Sequence, residues 1–225
     1  MHEVAIMTEA VRLAVESAQM AGAKRVTTLK LRIGALSGVV PEALQFAWEV
    51  ARRVRRRIRG RRVLDLAGGH GLLAQALLLL DDTSPSAVVV DRVVPPSAAT
   101  LSERLAATWP RLRGRVAYEV GDLGAISVSP DDLVVSCHAC GALSDAVLTR
   151  AIDARAAVAV LPCCHDDGVS DAGVLAGWLT TPMAIDVMRA MRLQGASYTV
   201  WTQTIPEVIT PQNRLLIGVP RATVV

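Results

Sequence analysis

The sequence predicts an α/β fold in which a small N-terminal α+β segment precedes a doubly wound, mostly parallel sheet of seven strands. After residue 60, short apolar stretches alternate with stretches of helical periodicity. The apolar stretches show no regular alternation with polar residues, which is typical of strands that helices cover on both faces. Apolar residues make up 52% of the 225 residues, so a core of this size can be filled.

The N-terminal part predicts a helix, a strand and a second helix. Apolar residues recur at helical spacing from residue 8 to residue 21, and Gly22 is a typical stop. Residues 26–33 alternate with period two, which indicates a half-buried strand. The second helix is predicted over residues 37–60, because Pro41 is tolerated in the first turn of a helix.

The rest of the chain predicts five strands separated by helices, and then two further strands. The predicted strands cover residues 61–66, 86–92, 116–123, 131–141, 156–166, 197–205 and 213–220, and the helices between them include 72–80, 97–109 and 143–153. Strands that alternate with helices in this way pair in parallel. Their carboxyl ends therefore meet at one edge of the sheet, where such folds bind ligands.

A glycine-rich turn, DLAGGHG, follows the first of these strands, and an acid ends each of the next two. Gly69 and Gly71 let the backbone approach a ligand closely. Asp91 can accept hydrogen bonds from a ribose, and Asp122 can accept one from an adenine amino group. Neither the Walker lysine motif nor the dinucleotide fingerprint is present at this turn. The alternative interpretation is a tight turn with acidic strand ends and no ligand.

This pattern resembles the class I S-adenosylmethionine-dependent methyltransferases, which implies a Rossmann-like sheet and S-adenosylmethionine as the methyl donor. The resemblance covers roughly residues 51–220 and departs from the family at Ala67, where many members have glycine. It assigns Asp65, Gly69 and Gly71 to the methionine end of the cofactor, Asp91 to the ribose and Asp122 to the adenine.

All four cysteines lie in two short clusters, SCHACG and LPCCHD, at the carboxyl ends of predicted strands four and five. The clusters resemble those of one methyltransferase branch, that of the glutathione-transferase-C-terminal-domain-containing proteins, which has a His-x-Cys-Gly and a Cys-Cys-His motif. In this fold the ends of strands four and five lie beside the methyl group of the cofactor. The candidate catalytic residues are therefore His138, Cys140, Cys163 and His165.

Four interpretations of the two clusters stay open. A histidine can remove the acceptor's proton while the cysteines shape the pocket. Cys137, Cys140, Cys163 and His165 can instead bind a metal such as zinc. A thiolate can attack C6 of a pyrimidine, as in RNA cytosine-C5 methyltransferases, although the flanking residues do not match that family. Free cysteines can also be small buried apolar residues.

The first fifty residues resemble a second family, the HypA nickel metallochaperones of hydrogenase maturation. The resemblance rests on the Met-His-Glu start, on AKRV and on the spaced pattern LxIGxLSGVxPEALxFAxEV. It implies that His2, with Glu3 beside it, binds Ni(II), an ion that nitrogen-rich donor sets suit. The zinc domain of that family is missing. We therefore divide the chain into a truncated HypA-like segment, 1–50, and a methyltransferase domain, 51–225.

Eight arginines stand between Arg52 and Arg62, and as a continuation of the second helix they would display positive charge on most faces. Such a surface can follow the phosphates of an RNA acceptor, whereas a solvated helix and a small-molecule acceptor are the plainer alternative. No apolar stretch approaches the ~20 residues of a membrane span, and no secretory signal is recognisable. We therefore expect a cytoplasmic protein that does not bind a membrane.

Together, these patterns predict an S-adenosylmethionine-dependent methyltransferase of unknown acceptor with a HypA-like, nickel-binding N-terminal segment. The alternative function is that of a nickel metallochaperone in hydrogenase maturation that is not itself an enzyme. In both cases hydrogenase maturation proteins are candidate partners.

Overall fold

The structure, a computed structural model, describes residues 13–23, 26, 41–137 and 139–222. Residues 13–20 are helical and form helix α1, which is part of the first predicted helix. The predicted start of that helix and most of the strand predicted after it lie outside the described residues. The candidate residues His2, Glu3 and His138 also lie outside them.

The helices and strands after α1 follow the predicted alternation, apart from the last helix, which was not predicted, and the fourth and fifth strands, which end before the cysteines. The further helices are α2 (Pro41–Arg55), α3 (Leu72–Leu80), α4 (Ser97–Thr108), α5 (Ala142–Asp153) and α6 (Thr181–Gly195). Short 3-10 turns cover Pro110–Leu112, Leu123–Ala125 and Gly173–Gly177. The strands are β1 (Arg62–Leu66), β2 (Ala87–Asp91), β3 (Val116–Val120), β4 (Asp132–Ser136), β5 (Ala157–Val160), β6 (Tyr198–Thr204) and β7 (Arg214–Pro220).

The seven strands form one sheet in the order β3-β2-β1-β4-β5-β7-β6. The pairs among β1 to β5 are parallel, whereas β7 is antiparallel to both of its neighbours, β5 and β6. The predicted α/β class with a mostly parallel, seven-stranded sheet is therefore confirmed. The strand order reverses between β1 and β4, and open α/β sheets bind ligands outside the carboxyl ends of strands at such a point.

Helices cover both faces of the sheet. On one face, Val63 of β1 and Val135 of β4 pack with α2, α3 and α4. On the other face, Leu64 of β1 and Val134 of β4 pack with α5 and α6. All four side chains are at most 1% exposed. Burial on both sides explains why these strands read as continuous apolar stretches.

Helix α2 runs across the junction that the sequence places near residue 50. Val50, Ala51 and Val54 are at most 1% exposed and belong to the same core cluster as the buried residues of α3. The C-terminal half of α2 is therefore part of the large core. Among the described helices, none is both long and apolar enough to cross a membrane.

The prediction that the second helix continues to residue 60 is wrong, since α2 ends at Arg55. Ile58 is 3% exposed and returns to the core, which a straight solvated helix would not allow. Gly60 then adopts φ 72, a left-handed conformation that glycine reaches without strain. The chain can thus turn directly into β1 at Arg62.

Candidate functional site

The glycine-rich turn after β1 packs closely against the neighbouring strands. Gly69 and Gly71 have φ values of 52 and 71, which side chains disfavour. A Cβ on Gly71 would lie 2.7 Å from a methyl of Val89 and 3.0 Å from the Tyr118 hydroxyl. The hydroxyl of Tyr118 donates to His70 O over 3.0 Å, which fixes the turn on β3. The turn therefore has no room for side chains at its inner edge.

Ala67 occupies the left-handed region at φ 55, two residues after Asp65 in the same turn. This conformation costs an L-residue with a Cβ roughly 1 kcal/mol of stability, whereas it costs glycine little. This explains physically why a glycine is favoured at this position. The turn keeps its shape here at the expense of local backbone strain.

Asp65 lies at the carboxyl end of β1 and is 2% exposed. One of its oxygens, Oδ2, accepts a hydrogen bond from Ala74 N in the first turn of α3 over 3.2 Å. Burial raises the pKa of Asp65 to about 7; the Ala74 N–H opposes this change and the Asp91 charge adds to it. The site thus contains a buried carboxyl that is costly to ionise unless a cation is present.

Asp91 and Asp122 follow Asp65 along the same edge of the sheet. Oδ2 of Asp91 accepts from Gly69 N over 2.9 Å, so the end of β2 is tied to the glycine turn. Asp122 lies just beyond β3 and is exposed; its Oδ1 accepts from Gly124 N over 2.9 Å. The Gly124 N–H, and then Arg92, lower the pKa of Asp122. Asp65 and Asp91 therefore flank the turn, and Asp122 lies at the rim.

The described residues of the two cysteine clusters form neighbouring loops after β4 and β5, here called the cysteine loops (137 and 139–141, and 162–165). Sγ of Cys140 lies 3.0 Å from Sγ of Cys163. The sulfurs of Cys140, Cys163 and Cys164 all lie within 4.8 Å of one another. Gly141 N donates to Cys164 O over 3.2 Å, which joins the two loops through the backbone.

Cys137 lies apart from this group of three thiols. It is 4% exposed and belongs to the core, and burial is the main cause that raises its pKa, followed by the charge of Asp65. Burial together with the neighbouring thiols raises the pKa of Cys163 to about 12. The metal set expected from the sequence therefore differs from the set of thiols that the structure brings together, which includes Cys164 in place of Cys137.

His165 is held by a partner that the sequence does not reveal. Its Nε2 lies 2.9 Å from Oδ1 of Asp186 in the first turns of α6, and its side chain is 4% exposed. Asp186 also accepts from Nη1 of Arg189 over 3.3 Å and from Nε of Arg214 over 2.6 Å. These contacts fix the plane of the imidazole. They do not bring His165 into the group of close thiols.

Arg189 is a buried arginine that links the cysteine loops to two helices. It is 2% exposed and makes a bidentate pair with Asp145 of α5, with distances of 2.9 and 2.8 Å. Its Nη2 also donates to Gly141 O over 3.1 Å. Sequence reasoning missed this network, and the signal was weak: an acid and an arginine three residues apart, Asp186 and Arg189, in a stretch for which no helix was predicted.

A shallow groove adjoins the cysteine loops. Its lining residues come from the first loop and the start of α5 on one side and from the second loop on the other: Cys140, Gly141, Ala142, Leu143, Ala146, Cys164, His165, Asp166, Asp167 and Gly168. Its walls mix small apolar side chains, thiols and carboxylates. The groove can hold a small polar molecule or one residue of a larger one.

Most arginines of the arginine-rich stretch, residues 52–62, are buried or half-buried within the protein. Three of its eight arginines, Arg56, Arg57 and Arg59, are exposed. Arg55 is buried, where its Nε donates to Leu77 O over 3.0 Å, and Arg62 pairs with Asp132 over 2.7 and 2.8 Å. The expectation of a helix with positive charge on most faces is therefore wrong, because α2 ends at Arg55 and several guanidinium groups turn inward.

Comparison with known protein families finds two matches along the chain. The family described as "Methyltransferase domain" matches residues 39–169. The family described as "Hydrogenase/urease nickel incorporation, metallochaperone, hypA" matches residues 1–63. Both matches include helix α2.

Curated relatives match the N-terminal part. The hydrogenase maturation factor HypA of Picosynechococcus sp. is 59% identical over 49 residues, which are 22% of this chain and 43% of that protein. The HypA of Roseiflexus sp. is 51% identical over 51 residues, or 23% of this chain and 42% of that protein. The chain thus spans less than half the length of these relatives.

Solved structures match the larger part in fold. An O-methyltransferase family protein from Burkholderia thailandensis has a TM-score of 0.51 at 20% identity, over 80% of this chain and 56% of that one. Mitomycin 7-O-methyltransferase MmcR has a TM-score of 0.50 at 16% identity, over 81% and 55% of the two chains. At these identities the likeness concerns the fold.

Proposed function

The chain belongs to the methyltransferase domain family that matches residues 39–169, and from this we propose that it transfers a methyl group from S-adenosylmethionine to an acceptor bound beside the cysteine loops. The observation that supports this most strongly is the edge formed by the glycine turn, Asp65 and Asp91. The acceptor itself is not identified by the family.

The residues at the carboxyl ends of β1, β2 and β3 fit S-adenosylmethionine. When bound, this cofactor supplies an electrophilic methyl group on a sulfonium. Asp65 is a buried carboxyl whose ionisation a cationic ligand would favour. Gly69 and Gly71 would pass close to the ligand: both have positive φ values, and at Gly71 a Cβ would also meet Val89 and Tyr118. Asp91 and Asp122 would accept hydrogen bonds from the ribose hydroxyls and the adenine amino group.

The acceptor side is proposed to consist of His138, Cys140, Cys163 and His165. The groove supports this assignment, because Cys140 and His165 line it at the ends of β4 and β5. Asp186 fixes the His165 ring, so that this side chain can orient an acceptor without rearranging. A histidine as the proton acceptor stays a prediction.

We propose further that the HypA-like segment binds Ni(II) through His2 and Glu3. The chain then has two functional parts, residues 1–50 and 51–225. The identity of 59% over 49 residues to a hydrogenase maturation factor supports this. Hydrogenase maturation proteins are then candidate partners. Nickel titration of the full chain and of His2→Ala tests the proposal, because a loss of uptake in the variant is expected and equal uptake would contradict it.

A labelling experiment tests the proposed methyl transfer. The full chain is incubated with cell extract and S-adenosylmethionine that carries an isotopic methyl label, and mass spectrometry then follows the small-molecule, RNA and protein fractions. We expect the label in one of these fractions. It should be lost with Asp91→Ala and retained with Asp131→Ala, an exposed residue at the opposite end of the sheet. Equal labelling with and without the protein would contradict the proposal.

A further inference from the structure

The strongest unassigned feature is the group of three thiols at the cysteine loops. Cys140 comes from the loop after β4, and Cys163 and Cys164 come from the loop after β5. Their sulfurs lie within 4.8 Å of one another, and those of Cys140 and Cys163 are 3.0 Å apart. In the described part of the chain, this is the group whose ligand atoms are close enough for one metal ion.

We propose that Cys140, Cys163 and Cys164 bind one soft divalent cation, zinc in the first place, as three thiolate ligands. Zinc is bound by thiolates at about 2.3 Å in a tetrahedral arrangement, which places the sulfurs roughly 3.8 Å apart. The observed separations, from 3.0 Å to within 4.8 Å, bracket this value. Small side-chain rotations would therefore suffice to coordinate the ion.

The backbone holds the two loops in place for this arrangement. Gly141 N donates to Cys164 O over 3.2 Å, and Arg189 donates to Gly141 O over 3.1 Å. A Cβ on Gly141 would lie 3.1 Å from Cβ of Asp166, which shows how closely the loops pack. Because the backbone is positioned by groups other than the thiols, the ligand set is largely preorganised, and this favours binding.

The use of all three thiols distinguishes a metal site from a disulfide. A disulfide between Cys140 and Cys163 would shorten their separation from 3.0 Å to about 2.05 Å and would leave Cys164 without a role. A zinc ion uses every sulfur of the group. Cys140 and Cys164 are exposed at the groove, so solvent and an incoming ion can reach the cluster.

Three thiolates leave one position of a tetrahedral ion for a ligand from outside the group, a pattern that is typical of catalytic zinc. At the groove, that position would be available to an acceptor atom with a lone pair, such as a thiol sulfur, whose deprotonation the ion would promote. This extension rests on the proposed function, whereas metal binding by the three thiols does not.

Metal analysis of the reduced full chain tests the site. After removal of metal and dialysis against zinc, we expect about one ion per chain, as in a single tetrahedral site. Cys140→Ser, Cys163→Ser and Cys164→Ser should each lose most of it. Cys137→Ala is the matched control, since this thiol is 4% exposed and lies outside the group, and it should keep its zinc. Circular dichroism checks that every variant is folded.

Cobalt substitution supplies a second readout that does not depend on methyl transfer. Sulfur-to-cobalt charge-transfer absorption should appear with the wild type and with Cys137→Ala, and should weaken in the three other variants. The proposal is overturned if the folded, reduced wild type takes up no ion, or if Cys164→Ser binds as much as the wild type. Zinc uptake without any methyl transfer would support the metal site and would count against the proposed function.

Discussion

Asp65→Asn is expected to stabilise the ligand-free protein at alkaline pH while abolishing cofactor binding. Asp65 is 2% exposed, and its pKa is raised to about 7 from an ordinary value of 3.8. An unfolded chain releases this proton near pH 4, whereas the folded chain retains it until near pH 7. Stability is therefore lost as the pH rises between these two values, which is the reverse of the usual case for a carboxyl.

The two pKa values set the size of the effect. Each pH unit of difference corresponds to about 1.4 kcal/mol, so the ionised carboxyl costs on the order of 4 kcal/mol at pH 8. An asparagine can still accept the hydrogen bond from Ala74 N, but its amide group needs a new partner at a cost of about 1–3 kcal/mol. We therefore expect the variant to gain roughly 1–3 kcal/mol of stability at pH 8 and, because Asp65 costs little at pH 4, to lose up to about 3 kcal/mol there.

Urea unfolding at pH 4, 6 and 8 measures this difference. Asp131→Asn is the matched control, because Asp131 is exposed, and its effect should be small at every pH. Calorimetry on Asp65→Asn should show that S-adenosylmethionine no longer binds, since a neutral amide cannot compensate the charge of a cation. A pH-independent effect, or a loss of stability at pH 8, would refute the reasoning about the buried carboxyl.

Three further substitutions test the structure by thermal or urea unfolding. Ala67→Gly should raise stability by up to about 1 kcal/mol because it relieves a left-handed alanine, and no gain would argue against the strain. Gly71→Ala should lower stability by more than about 1 kcal/mol, since its Cβ would meet Val89 at 2.7 Å, and a neutral effect would show that the turn has room. Arg55→Ala should cost about 1–3 kcal/mol because it removes a buried ion pair with Asp81 and a hydrogen bond to Leu77 O, although Asp81 keeps its bonds to Gly60, Thr83 and Ser84. The exposed Arg56→Ala should cost little, and equal effects would contradict the internal role of Arg55.

The strands and their mostly parallel pairing could be predicted from the sequence because burial on both faces leaves apolar stretches with sharp ends. The glycine turn could be predicted for a similar reason, since few residues can adopt the conformations of Gly69 and Gly71. The end of α2 could not, because it depends on a buried Ile58 and on Arg55 bonding to Leu77, 22 residues away.

The acceptor side was only partly predictable. The two cysteine clusters indicate where the loops lie, but not which sulfurs meet, because irregular loops have no fixed side-chain period. Cys164 joins the group of thiols and Cys137 turns into the core. Arg189 and Asp145 are 44 residues apart in the sequence, and no local pattern predicts a contact between residues so far apart.

The central claim is that the turn after β1 and the acids beside it bind S-adenosylmethionine, and isothermal calorimetry tests it most directly. The wild type should bind the cofactor, and Asp91→Ala should weaken binding by about 1–3 kcal/mol through lost hydrogen bonds to a charged group. Asp91→Asn, which can still accept from Gly69 N, should fall between the two. No binding to the wild type, or equal affinity in all three proteins, would contradict the account.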